Sequence, residues 1–335
     1  MIKLFTNPSP EQIGNNVESF LEILGETTCI VMDGNDNNRS RVFVTLLHGN
    51  EPSGVMSLFR WIKERKRPSV KIICIIASIK TALQPPLFHY RTLPGIKDLN
   101  RCFQSPFVGN QGKLANDILN IIHQHKPEAV IDMHNTSGSG PAFGVATHQD
   151  LNHEELTALF SDKLVITHLR LGALMDISEK FYPTITIEAG GRLDQKAHDT
   201  AWQGMVRFFT DEHIVNNSLN PKKVDSFIEP VRIELVKGTS LSYAKTPNIE
   251  FDVTLADDLD QLNFDKIDSS TPLGWVNRGE LDNFQVQDYK HQTSPSDWLR
   301  IQNGRLYPAD KVIFFMITTN PVIGIDDCLF YGVKI

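Results

Sequence analysis

Four residues have the types and spacing needed for hydrolysis assisted by a metal ion. His48 and Glu51 are three positions apart, so one turn of chain can aim both at a single point, and imidazole nitrogen and carboxylate oxygen are both good zinc ligands. His134 supplies a third donor. Two histidines and one carboxylate leave a coordination position open, the pattern of a catalytic rather than a structural zinc site. Such an ion polarises a carbonyl oxygen and lowers the pKa of a water toward ~7. A carboxylate must then take the water's proton and pass it to a leaving nitrogen, and Glu188 is the candidate for that task. Taken alone, H-x-x-E recurs by chance as a capping or surface pair. Glu188 alone reads equally well as negative charge placed before the helix that follows it.

The elements that must position these residues raise the combination above chance. Residues 41–47 (RVFVTLL) form a β-branched run that reads as a buried strand and ends at His48. Pro52 suits the first turn of a helix reaching about Lys66. Residues 70–77 (VKIICIIA) read as a second buried strand, 128–133 (EAVIDM) as a third ending at His134, and 184–187 (TITI) as another ending at Glu188. Helical spacing occurs over 10–24, 111–125 and 194–210, a short strand is expected at 142–147, and 81–110 reads as loop. In open α/β sheets, sites form outside the carboxyl ends of strands, so these distant residues are expected to converge.

Alternating strands and helices imply an α/β fold with a parallel or mixed sheet over residues 1–215. From 216 the texture changes. Alternating stretches at 231–236 (VRIELV) and 249–255 (IEFDVTL), with turns at Pro247 and Pro272, predict a smaller β-rich domain over 216–335.

Of the 335 residues, 41% are apolar and 22% charged, an ordinary globular composition. The formal net charge of −7 disfavours nucleic acid as a partner. The basic stretch Lys63–Arg67 ends a helical pattern and reads as a solvated face. Cys29, Cys74, Cys102 and Cys328 form no C-x-x-C pair, which suits a reducing cytoplasm. The opening MIKLFTNPSPEQ lacks the apolar core of a secretory leader, and the longest apolar runs, 72–77 and 312–317, are far short of a membrane span. A cytoplasmic protein without membrane partners is expected, and a homo-oligomer is compatible with everything above.

HGNE at 48–51, DLNR at 98–101, DMHNTS at 132–137 and IEAGG at 187–191 resemble, in order and with similar spacing, the motifs of the succinylglutamate desuccinylase/aspartoacylase family of the zinc carboxypeptidase superfamily. The resemblance covers about residues 41–210 and implies a zinc-carboxypeptidase-like mixed sheet flanked by helices. It implies one zinc ion per chain on His48, Glu51 and His134, with Glu188 as general acid/base. It further implies that Asn100 and Arg101 bind a substrate carboxylate, a task suited to arginine's fork. Asp98 would orient His48, as metal-bound histidines require. Arg91 would polarise the scissile carbonyl and stabilise the oxyanion; its alternative reading is a surface loop arginine.

Residues 176–183 (DISEKFYP) contain no arginine where aspartoacylase has one, and Tyr182 and Tyr331 are candidates for that enzyme's substrate-holding tyrosine without a motif to fix either. This points away from N-acetylaspartate and succinylglutamate, toward a related N-acyl amino acid or carboxylate-bearing amide. The alternatives are a metallocarboxypeptidase acting on short peptides or cell-wall fragments, and a zinc-binding protein without catalysis. His89 lies nearest the motifs among the other histidines; the rest, His291 among them, have no comparable context.

Overall fold

Buried strands form where β-branched and aliphatic residues run without interruption, because both faces of such a strand can be covered. In the computed structural model, which describes residues 2–215, 223–288 and 292–335, two compact units result. The first comprises Met1–Asn135 and Ala142–Ser226, the second Thr136–Pro141 and Phe227–Ile335. Residue 216, the expected start of the second domain, and His291 lie outside the described residues.

The first unit is built on strands β1 (Lys3–Thr6), β2 (Thr28–Met32), β3 (Asp36–Thr45), β4 (Val70–Ile76), β5 (Val130–Thr136), β6 (Phe143–Ala146), β7 (Lys163–Ile166), β8 (Thr184–Gly191) and β9 (Asp225–Ile228). They form one mixed sheet in the order β1-β2-β4-β3-β5-β8-β6-β7-β9. β3 runs parallel to both β4 and β5, while β2 is antiparallel to β4 and β6 to β8. The helices are α1 (Val17–Leu24), α2 (Ser53–Lys63), α3 (Ile79–Ala82), α4 (Gly109–His125), α5 (Leu151–Ala158) and α6 (Gln195–Thr210).

The two-residue period of a strand sorts its side chains between two cores. Phe43, Ile72, Cys74 and Ile76 join Leu58 and Trp61 of α2 and Met205 and Phe208 of α6 in one apolar cluster. Val42, Val44, Ile73 and Ile75 join Ala115, Ile118 and Ile122 of α4 in the other. The sheet is therefore covered on both sides, and each buried Val, Leu, Ile, Phe or Met among these contributes roughly 1.5–3 kcal/mol by leaving water. Gly54 lets α2 lie close on the sheet: a Cβ there would come 2.3 Å from Thr45 Oγ1 and 2.9 Å from Met133 Cγ. Helix α2 ends at Lys63, short of the expected Lys66. The basic residues beyond it are engaged locally, Arg65 with Glu11 and Lys66 over the ring of Trp202.

The second unit holds a six-stranded and a five-stranded sheet around its own core, which includes Ile233, Val253, Leu306, Phe314 and Phe330. Of the expected strand over 249–255, only Val253–Leu255 pairs; Asp252 instead accepts hydrogen bonds from the backbone N–H and hydroxyl of Ser240. The four cysteines are free and buried. No helix among the described residues is long and apolar enough to cross a membrane.

Candidate metal and catalytic site

The parallel pairing of β3 and β5, with Thr45 opposite Met133, brings the carboxyl ends of both strands to one edge of the sheet. Beyond β3 the chain turns through Leu46, whose φ of 54° is left-handed and unusual for a leucine. Its carbonyl is held by the Ser78 N–H at 2.7 Å, and that of Leu47 by the Ser78 hydroxyl at 2.9 Å. This fixed turn delivers His48. Gly49 must follow, because a Cβ there would meet Thr81 and the Tyr90 carbonyl within 2.8 Å. Glu51 then lies just ahead of α2. His134 sits within β5 and Glu188 within β8; both strands run past the ends expected from sequence, since backbone pairing continues through these polar residues.

Glu51 is the centre of the cluster. His48 Nδ1 lies 2.8 Å from its Oε1 and His134 Nδ1 2.6 Å from its Oε2. The three side chains are buried, and one donor atom from each falls within 4.8 Å of the others, the one such group among the described residues. The far nitrogen of each ring faces a carboxylate: His48 Nε2 is 3.0 Å from Asp98 and His134 Nε2 is 2.9 Å from Asp132. The second is a contact between charges rather than a straight hydrogen bond, since that nitrogen has no hydrogen-bond partner of good geometry. With a carboxylate behind each ring, Nδ1 of both is turned toward Glu51, the arrangement that metal-binding histidines need. By donor chemistry and convergence these residues fit a divalent ion with a preference for nitrogen and oxygen ligands.

Electrostatics bind the group together. Burial opposes the charge on Glu51, but His48 and His134 outweigh it and hold the carboxyl well below the usual range. Burial likewise opposes charge on His134, and Asp132 and Glu51 outweigh it, raising that imidazole well above its ordinary value. Asp98 is also held low, its burial overcome by His48, Arg91 and Arg101. Glu188 behaves oppositely: burial and the charge of Glu51 raise its pKa to about 7, against the lowering pull of His134, His48 and Arg91. Its Oε2 is buried and has no hydrogen-bond partner among the described residues.

The loop carrying the other expected residues closes around Asp98. Arg91 donates to Asp98 Oδ2 at 3.0 Å and reaches Glu51 Oε1 at 3.4 Å, with its side chain 46% exposed. Asn100 is buried; its side-chain Oδ1 accepts the Leu174 N–H at 2.9 Å, which orients the amide group. Arg101 is partly buried and donates to the backbone carbonyl of Asn100 at 2.9 Å. His89 packs edge-on against Tyr90. Tyr182 lies by His123 and Phe181, and Tyr331 stacks on Phe315 in the second unit; neither contact involves the cluster.

Sequence reasoning missed Asp132, Asn135 and Ser53. Asp132 had a readable signal: residues i and i+2 of a strand share a face, so an aspartate two before a candidate ligand faces the same way. Asn135 read as the start of a turn. A separate chain, Asp150–His153–Ser178, has the connectivity of a nucleophilic triad, with contacts of 2.9 and 2.7 Å. Ser178 Oγ already accepts the Thr184 N–H and His153 is only 2% exposed, so the three tie the start of α5 to the start of β8.

Residues 42–208 match the Succinylglutamate desuccinylase/Aspartoacylase catalytic domain. By sequence, no curated protein matches the chain. Among solved structures, succinylglutamate desuccinylase from Chromobacterium violaceum is similar with a TM-score of 0.55 at 12% identity, covering 91% of this chain and 88% of that one. The succinylglutamate desuccinylase/aspartoacylase from Rhodobacter sphaeroides gives 0.54 at 13% identity, over 87% and 84%. The product-bound ectoine utilization protein EutE (DoeB) from Ruegeria pomeroyi gives 0.54 at 14% identity, over 91% and 88%. At these identities the likeness is one of fold.

Proposed function

We propose that the chain, whose residues 42–208 match the catalytic domain of the succinylglutamate desuccinylase/aspartoacylase family, is a zinc-dependent amidohydrolase that cleaves a small N-acyl amino acid or a related carboxylate-bearing amide. The observation that carries this reading is the buried convergence of His48, Glu51 and His134, whose charges act on the raised carboxyl of Glu188, its Oε2 without a hydrogen-bond partner among the described residues. His48, Glu51 and His134 would hold one zinc ion. When bound, zinc supplies Lewis acidity toward a carbonyl oxygen and acidifies water.

Every other task falls to the chain's own side chains. Glu188 takes a proton from the attacking water and delivers it to the leaving nitrogen, a role that needs a pKa near the working pH. Arg91, partly exposed and held by Asp98, offers positive charge to the developing oxyanion. Asn100 through its amide N–H groups and Arg101 through its guanidinium hold the substrate carboxylate. Asp98 keeps His48 in the tautomer that presents Nδ1.

The test is the metal content of the purified protein, wild type and His134→Ala, followed by a screen of N-acyl amino acids. The reading expects about one zinc per chain in wild type, none in the variant, and amide hydrolysis in the screen. A folded wild type that takes up no zinc overturns it.

A further inference from the structure

Helix α2 begins without a local cap: the residue before it is Pro52, which has no capping side chain. The first N–H groups of a helix need partners, and a buried helix start cannot find them in water. Here the partner comes from another strand. The Ser53 N–H donates to Asn135 Oδ1 at 3.0 Å, and Asn135 Nδ2 donates to Ser53 Oγ at 2.7 Å. The same Nδ2 donates to the Gly190 carbonyl of β8 at 2.9 Å, and the backbone N–H of Asn135 reaches Glu51 Oε2 at 3.4 Å. The side chain is buried and engaged at both ends.

From these contacts we propose that Asn135 is a positioning residue that sets the spacing between the His48–Glu51–His134 cluster and Glu188. Its neighbours in the chain make it suited to this. It follows His134 directly, it grips Ser53 two residues after Glu51, and it grips Gly190 two residues after Glu188. One amide group thus links the three segments that carry a cluster carboxylate, a cluster imidazole and the proton-transfer carboxyl. No other side chain type of this size can accept from one backbone N–H and donate twice. Ser53 extends the link, its Oγ lying 2.8 Å from His198 Nδ1 on α6.

This inference rests on the reading of the cluster as a zinc site, and the experiment separates the two. Zinc affinity is measured by competition with a chromophoric chelator, and the visible spectrum of the cobalt-substituted protein is recorded, for wild type, Asn135→Ala and Ser53→Ala. Folding is checked by circular dichroism. Loss of a residue that orients metal ligands typically costs 10–100-fold in affinity, and that is expected for Asn135→Ala, with an altered cobalt spectrum and a fall in kcat larger than the rise in KM. Ser53→Ala removes one of the bonds and is expected to show a smaller loss of the same kind. Should Asn135→Ala fail to fold, Ser53→Ala decides: a several-fold loss of affinity supports the proposal and an unchanged value overturns it. Folded Asn135→Ala with wild-type affinity and spectrum overturns the positioning role alone. Wild type that binds neither metal overturns the zinc reading and this proposal with it.

Discussion

Asp132 and His134 stand two residues apart on β5, turned to the same face, with Asp132 Oδ2 2.9 Å from His134 Nε2. Asp132 is fully buried, and Thr186 on β8 also reaches its Oδ2, at 3.4 Å. A buried carboxylate behind an imidazole holds that ring's orientation and raises its basicity. Asp132→Ala is therefore expected to lower zinc affinity about 10–100-fold, with a loss of thermal stability because His134 is left without its counter-charge. Equilibrium dialysis against a chelator measures the first effect. An unchanged affinity would remove Asp132 from the support of the site.

Glu188→Gln keeps the size of the side chain and removes its ability to carry a proton. Turnover should fall about 10²–10⁴-fold, while the protein retains its zinc. Single-turnover kinetics together with elemental analysis distinguish this from a variant that has merely lost the metal. Retained activity would assign proton transfer to another group.

The raised pKa of Glu188 has a consequence for stability once zinc is stripped with a chelator. Its folded value is about 7 against an ordinary 4.5. For an acid shifted upward, the favourable contribution is complete below the unfolded pKa and is lost as pH rises toward the folded one. Stripped wild type should therefore lose stability between about pH 4.5 and pH 7 relative to Glu188→Gln. The variant is expected to melt higher by about 2–5 °C at pH 8, with the gap closing near pH 4.5. A gap that does not change with pH would mean that Glu188 is not the group responsible.

Arg101 is the side chain proposed to meet the substrate's carboxylate. Arg101→Ala should raise KM for carboxylate-bearing substrates about 10-fold or more, in line with the ~1.5–3 kcal/mol of a hydrogen bond to a charged group. The corresponding amide or ester, which lacks that charge, should be cleaved with little change. Equal effects on both substrates would place Arg101 outside carboxylate recognition.

Much of this arrangement could be read from the sequence, for reasons visible in particular residues. β3, β4, α2, α4 and α6 are long or strongly patterned, and His48, His134 and Glu188 each close an apolar run with a side chain that a core would not choose, with Glu51 three positions after the first of them. β1, with Leu4 and its neighbours largely exposed, and α5, whose LNHEELTA has almost no apolar stripe, carry too little pattern to be recognised. Asp132 opens the motif DMHNTS, but the apolar run around it gave no role to assign it. Arg91 and Asp98 meet seven residues apart in an irregular loop, where no period predicts which side chains will touch. Asn135 looked like turn chemistry because its partners, Ser53 and Gly190, lie 82 and 55 positions away.

Residues Thr136–Pro141, which follow Asn135 without interruption, belong to the second unit, where Asn263 Nδ2 donates to the Ser139 carbonyl at 2.7 Å and Gly138 lies against the Ile317 carbonyl. During synthesis at ~5–20 residues per second, Asn263 leaves the ribosome roughly 6–25 s after Ser139. Throughout that interval the six residues next to His134 and Asn135 have none of these partners. A chain cut after residue 226 would keep every proposed site residue and lack the partners of Gly138 and Ser139 for good.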